Sequence, residues 1–530
     1  MKAYREAFLA GDYKKAKETL EKTNLRNDEK SRLLWELELG TVDANLDDLD
    51  GAIRHFQSAI DLIDNLYTTK LSAKAASFLI NDASDVFYGA SYERSYAYYY
   101  LSRTYYARFL KTGKKGDLQG ARAAILGWDT YFTEMQRSSS YKSLYHTDLM
   151  MKIFGGQIHE VSEVRNDQQI ALQLYKDALK ILDIEGGIFS LFNKTSNEYI
   201  KLYEENLKDG KGPPSKSFEK TSAYQDLKDF LVFKVLRLTK EIRPGDFNLQ
   251  VKTLKANAEL VKKVNEGERN VVLILEEGLI PAKVGKPFNF GIRGAMDSTE
   301  SSSAKKMIAT VGVEFITAFA MNQLGMMPTN TAGAGSFIFA HNMTRLAVQE
   351  AAVEFELPMI DSVPLVQRME VYILDEKGVL VTHSPLPVIS ENGDIARVVL
   401  EEDVSARYVK TGTRVALKHL TAIIAALAVY QGLKAKTGQN GDFIAKAAAM
   451  GTYVASTKGI AMLEKADTRH WTTLPQAVRM TEFKLAPGKY QIGISHYSGD
   501  TVPATPSKLI GDIVVGKSVK SLHTINFFNQ

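Results

Sequence analysis

The sequence predicts a fold in two parts: an N-terminal α-solenoid of helix pairs, then a C-terminal mixed α+β domain with mostly antiparallel strands. Three observations carry this. Small and aromatic residues recur at helix-pair spacing through residues 1–205. A Gly- and Pro-marked loop and one more helical hairpin fill 206–268. From 269 to 530 short strand-like runs bounded by Gly and Pro take over, with helices inserted among them.

The repeat signal is clearest in "LLWELELGTVDANLDDLDGAIRHFQSAI" (33–60). Gly40, Ala52, Phe56 and Ala59 take the eighth, twentieth, twenty-fourth and twenty-seventh places of a tetratricopeptide (TPR) repeat. Small residues there let two helices approach, and Phe56 fills the gap to the next pair. Partial echoes are Ala16 and Leu20, then Ala121, Ile125 and Trp128, then Ala171, Tyr175 and Ala178. Their uneven spacing predicts a degenerate TPR-like array with inserts.

Between the echoes, "SYERSYAYYYLSRTYYARF" (91–109) holds seven tyrosines. Tyr92, Tyr96, Tyr99, Arg103 and Tyr106 form one helical stripe. Two readings stand: aromatic packing between repeats, or a partner-binding surface of large rings with polar tips.

"NLKDGKGPPSKSFEK" (206–220) reads as a loop. Helices over 224–247 and 249–267 follow, with "RPGD" as their turn. "NVVLILEEGLIPAKVGKPFNFGI" (270–292) reads as a strand, a turn and a second strand. "RMEVYILDEKGVLVTH" (368–383) reads as a hairpin around "DEKG". "ARVVLEE", "GKYQIGISHY" and "GDIVVGKSV" read as further strands, and two helices are expected near 403–435 and 441–464.

The chain has 530 residues, which at about 150 per domain suggests about three units. Its 66 basic and 62 acidic side chains leave a net charge of +4, without the clustered basic face that nucleic acid would need. The absence of cysteine excludes thiolate catalysis, Cys-ligated zinc and disulfides. "MKAYREAFLAGDYKKA" is charged from its second residue and is no signal peptide. The chain is then cytosolic, or a mature form written without its leader. "MIATVGVEFITAFAMNQLGMMP" (307–328) has the length of a membrane span, but Glu314, Asn322 and Gln323 interrupt it. A membrane-touching hairpin there stays open. "LTAIIAALAVYQGL" (420–433) suits a buried helix better.

Motifs for chemistry are sparse. There is no phosphate-cradling G-x-x-x-x-G-K-[ST] run, and "GIRGAM" and "AGAGSF" read as turns. No two histidines stand at metal-ligand spacing around a carboxylate, so no metal and no cofactor are expected. Glu276 and Glu277 are adjacent in a strand and point to opposite faces, so they cannot act together as acid and base. "ADTRHWTTLP" (466–475) gathers an acid, a base, a His and a Trp. The reading taken is a structural corner: Asp467 pairs with Arg469 as a helix ends, Trp471 anchors the turn, and Pro475 fixes the entry to the next segment.

"VVLILEEGLIPAKV" (271–284), "EKADTRHWTTLPQAVRMTEFKLAPGKY" (464–490) and "YERSYAYYYLSRTYYA" (92–107) together resemble an uncharacterised family of bacterial envelope lipoproteins with an N-terminal TPR-like half. Genes of that family often lie beside those of a penicillin-binding-protein activator lipoprotein of the outer membrane. The resemblance implies the periplasmic face of the envelope, with outer-membrane anchoring. It supplies no catalytic residues. The lipobox cysteine of the family is missing here, which a leader removed before numbering would explain.

The expectation is therefore a non-enzymatic scaffold or assembly protein that holds protein partners, components of an envelope complex, in the concave face of its repeats. Peripheral membrane association, through a lost lipid anchor or residues 307–328, and homo-oligomer formation are compatible with it. The alternatives are an enzyme acting on an envelope polymer with a site near 466–475, and a cytoplasmic TPR adaptor.

Overall fold

The computed structural model describes residues 1–72, 86–138, 144–145, 147–162, 164–215, 217–267, 269–291, 352–360, 366–401, 466–499, 501–516 and 521–527, with isolated positions between 402 and 465. The apolar run 307–328, most of "GIRGAM", all of "AGAGSF", and the expected helices near 403–435 and 441–464 lie outside them, isolated positions apart.

The first half is helical. Short turns join α1 (Lys2–Leu9) to α2 (Tyr13–Glu21), α3 (Arg32–Asn45) to α4 (Leu49–Ser72), α5 (Ser91–Thr112) to α6 (Lys115–Ser138), and α7 (Leu149–Glu160) to α8 (Arg165–Ile188). Each helix packs on its partner, and each pair packs on the next. Starts are fixed by side chains that accept orphan N–H groups: Asp12 from Lys15 and Asp148 from Met151, both at 3.1 Å. Gly113, at φ +68°, ends α5 in the left-handed conformation and lets α6 start two residues later.

The small residues act as the spacing implies. A Cβ on Gly40 would stand 2.9 Å from the Phe56 ring, and one on Gly156 would stand 2.7 Å from Tyr175. Ala16, Leu20, Ala52, Phe56, Ala59, Ala121, Ile125, Trp128, Ala171, Tyr175 and Ala178 are all buried.

Next come α9 (Ser196–Lys208), α10 (Ser222–Ile242), α11 (Phe247–Thr253) and α12 (Ala258–Asn265). The single helix expected over 249–267 is therefore two. Lys255, at φ +52°, breaks it, and Asn257 caps the new start.

The second half is mixed α+β with mostly antiparallel strands. Its strands are β1 (Val271–Glu277), β2 (Lys283–Gly291), β3 (Ala352–Ile360), β4 (Arg368–Leu374) and β5 (Leu380–Pro385), then β6 (Val388–Glu391), β7 (Ala477–Phe483), β8 (Gly488–Tyr497), β9 (Lys508–Val515) and β10 (Ser521–Phe527). One sheet has the order β10-β1-β7-β6, another β5-β4-β8-β9, and β2 pairs with β3. Only the β1–β10 pairing is parallel among the described residues. The β4–β5 hairpin turns at "DEKG" as expected. "ARVVLEE" departs from expectation: residues 392–401 are helical. Arg397 pairs with Asp394 and Glu401 at helical spacing, which a strand could not allow.

The layers are helices, first sheet, second sheet. Val271, Leu273 and Leu275 of β1 face Met369, Val371 and Ile373 of β4 in a core between the sheets. Val272 and Ile274, with Val478 and Met480 of β7, join the core of the helical half. Burial on both faces explains the unbroken apolar run of β1. The change of element type at 269 is thus no gap in packing. The helices and the first sheet share a core along this seam.

Candidate functional site

The features singled out in the sequence converge on the seam between the helices and the first sheet. Acids within the apolar helices build it. Glu38 on α3 accepts the backbone N–H and the hydroxyl of Thr472, each at 2.7 Å. It also accepts the hydroxyls of Thr473 and, at 2.9 Å, Tyr4. Glu93 on α5 accepts the N–H of Trp471 at 2.6 Å and that of Ala90 at 2.5 Å. Two successive helix pairs thus hold two successive amides of one turn, just before β7. Four donors surround the Glu38 carboxyl, yet burial outweighs them and raises its pKa.

Trp471 is fully buried. Its ring lies 5.3 Å from that of Tyr100 and 6.1 Å from that of Phe56, and its indole N–H donates to Thr41 at 3.1 Å. Before it, Arg469 grips Asp467 with two side-chain bonds of 2.9 Å. Pro475 is buried, and its carbonyl accepts the Asn392 amide at 2.8 Å. The stretch forms a closed, packed corner.

His470 is buried there. Its Nδ1–H donates to the Thr468 carbonyl at 2.9 Å, which leaves Nε2 as the bare nitrogen. Nε2 has no hydrogen-bond partner among the described residues, and burial lowers the pKa of the ring. The nearby threonine hydroxyls donate to Glu38 instead.

The tyrosine stripe needs a correction. Tyr92, Tyr96, Tyr99, Arg103 and Tyr106 are all buried, so they offer no surface to a partner. They cover the first sheet. Arg103 donates to Glu276 at 2.6 Å, and the hydroxyls of Tyr99 and Tyr100 reach the same carboxylate at 3.3 Å. The Arg103 guanidinium also lies 4.6 Å from the Tyr100 ring centre. Glu277 points the other way, as strand alternation requires. It pairs with Arg479 at 2.7 Å and His496 at 3.1 Å. Burial pushes its carboxyl up, but Arg479 and His496 outweigh burial and bring it down to about 2.

A second charged knot lies further along the seam. Lys234 on α10, fully buried, holds Glu482 of β7, Glu160 at 2.6 Å and Gln157 at 3.0 Å. Arg237 closes on Glu160 from the same helix. Burial lowers the Lys234 pKa, with Glu482 opposing. Sequence reading missed Glu38, Glu93, Glu160 and Lys234. The signal was present for Glu38, an acid within the apolar run "LLWELELG".

Among the described residues no group of His, Asp and Glu side chains could hold a metal ion. No described helix is long and apolar enough to cross a membrane. The stretches that carry the family resemblance touch one another: Glu93 of "YER" holds Trp471, and Arg103 holds Glu276. Comparison with protein-family models, curated proteins and solved structures gives no match.

Proposed function

We propose that the chain is a non-enzymatic assembly protein of the bacterial cell envelope, built on a TPR-like array whose groove is filled by its own sheet. The observation that carries this reading is the double clasp of Glu38 and Glu93 on the amides of Thr472 and Trp471. Arrays of this kind offer an extended concave surface for binding. Here that face takes a segment of the same protein, so the repeats serve as a rigid frame and partners meet outward surfaces.

The Gly40–Phe56 and Gly156–Tyr175 approaches support the TPR-like reading. The resemblance to envelope lipoproteins supports the periplasmic face, with cytoplasmic placement as the alternative. Leu126 on α6 and Ile170 on α8 are large apolar side chains left exposed on the second helices of their pairs.

Photo-cross-linking amino acids at positions 126 and 170, introduced in bacterial cells, test the reading. Discrete adducts with envelope proteins are expected. Absence of adducts at both positions, together with turnover of an envelope polymer by the purified chain, would replace it with the enzyme alternative.

A further inference from the structure

One cleft lies away from the Trp471 corner, with Glu482 of the charged knot in its lining. It has a volume of about 340 Å³, in the range of about 300–1,000 Å³ that ligand sites occupy. Phe230 and Phe233 of α10 and Phe483 of β7 supply apolar lining, and α10 and α12 form a wall. Thr382, His383 and Ser384 of β5 line it as well. Successive strand side chains point to opposite faces. Three in a row can border one cleft only if the backbone edge of the strand borders it.

That edge is open. β5 stands at the end of its sheet and pairs with β4 alone among the described residues. Open edges are templates for another strand, and proteins usually blunt them.

The lining also has a sign: Asp226, Asp229, Glu259, Glu266 and Glu482 outnumber Lys263 and Arg269. Asp229 accepts a hydrogen bond from Gln225 at 2.7 Å but forms no ion pair among the described residues. Behind His383, the buried Glu370 gives one oxygen to the His383 Nδ1 at 2.7 Å. Its other oxygen has no hydrogen-bond partner among the described residues.

We infer that the cleft receives an extended segment of a partner protein, added as a strand to the free edge of β5 with a lysine or arginine directed at Asp229. The inference rests on the assembly reading and assigns it a binding site. Backbone hydrogen bonds would supply affinity and the cation would supply choice.

The test is a titration of the full chain with a fluorescein-labelled heptapeptide alternating valine and lysine. Two controls replace lysine by glutamate, or N-methylate alternate backbone nitrogens. The lysine peptide is expected to saturate, with binding weakened at least tenfold in both controls and in Asp229→Lys. Equal binding of all three peptides, no binding of any, or no change in Asp229→Lys at an unaltered melting temperature would overturn the inference. The N-methyl comparison uses the unaltered chain, so it decides even if the variant fails to fold. Adducts at positions 126 and 170 without peptide binding would remove the cleft and leave the assembly reading standing. Peptide binding without adducts would do the reverse.

Discussion

Glu38 on α3 holds the N–H of Thr472 at 2.7 Å across 434 positions of chain. One carboxylate thereby ties an early helix pair to the corner that leads into β7. Glu93 repeats the arrangement on Trp471 one helix pair later.

Glu38→Gln keeps the shape of the side chain but turns one acceptor into a donor facing Thr472 or Thr473. A buried donor left without its acceptor costs about 1–3 kcal/mol. The variant is expected to lose that much in urea unfolding, at an unchanged slope. A variant as stable as the parent would show that the clasp contributes nothing net.

Trp471→Ala should cost about 3–5 kcal/mol, the range for deleting a buried large aromatic. Trp471→Phe should cost less, because Phe56 and Tyr100 keep a ring to pack on and only Thr41 loses its donor. Melting curves of the two variants side by side check the order. Equal losses would place the weight on the indole N–H instead of the ring.

Some of this was legible in the sequence. Gly40, Ala52, Phe56 and Ala59 announced a helix pair because close approach restricts residue size at fixed spacing. Glu276 and Glu277 announced opposite faces because strand alternation is local. The tyrosine stripe showed that one face of α5 is special, but not that the first sheet covers it. That cover is set by pairing between distant segments, as in Glu38 with Thr472, which local spacing does not encode. "ARVVLEE" was misread because its β-branched residues suggest a strand, while the Asp394, Arg397 and Glu401 pairs favour a helix.

Lys234→Met should be severe. It leaves Glu482 buried without its cation and weakens the hold on Glu160, and breaking such a knot costs about 3–5 kcal/mol. Adding Glu482→Leu should recover part of the loss, since the stranded charge is then gone. A double-mutant cycle measured by denaturant unfolding checks this, and strictly additive losses would rule out the coupling.

Acid should weaken the fold in two steps. The pKa of His470 is lowered in the folded chain, so its stability term is full above about 6.5 and fades as pH falls through the lower folded value. Glu277 is held down to about 2, so its term is full above the ordinary carboxylate range and is lost as pH approaches that value. For Glu277 the term amounts to roughly 3 kcal/mol. Unfolding followed from pH 8 to pH 3 should show the first slope shrink in His470→Asn, with His159 and His523, also held down by burial, keeping the remainder, and the second shrink in Glu277→Gln. Unchanged slopes would assign the acid response to other groups.

Separated halves should fail. Residues 269–530 alone would expose Val272, Ile274 and Met480 together with the charges of Glu276 and Glu482. Insolubility or dye-binding apolar surface is expected, relieved by co-expression with 1–268. A soluble, cooperatively melting 269–530 would contradict the shared core.

Hydrogen exchange at the amides of Trp471 and Thr472 bears most directly on the proposed self-filled groove. Both N–H groups end on carboxylates of the helical array, so both should exchange only with global unfolding, as slowly as the central amides of β1. Exchange at the rate of an open loop, while β1 stays protected, would mean that the array does not hold this segment and that its groove is free for another chain.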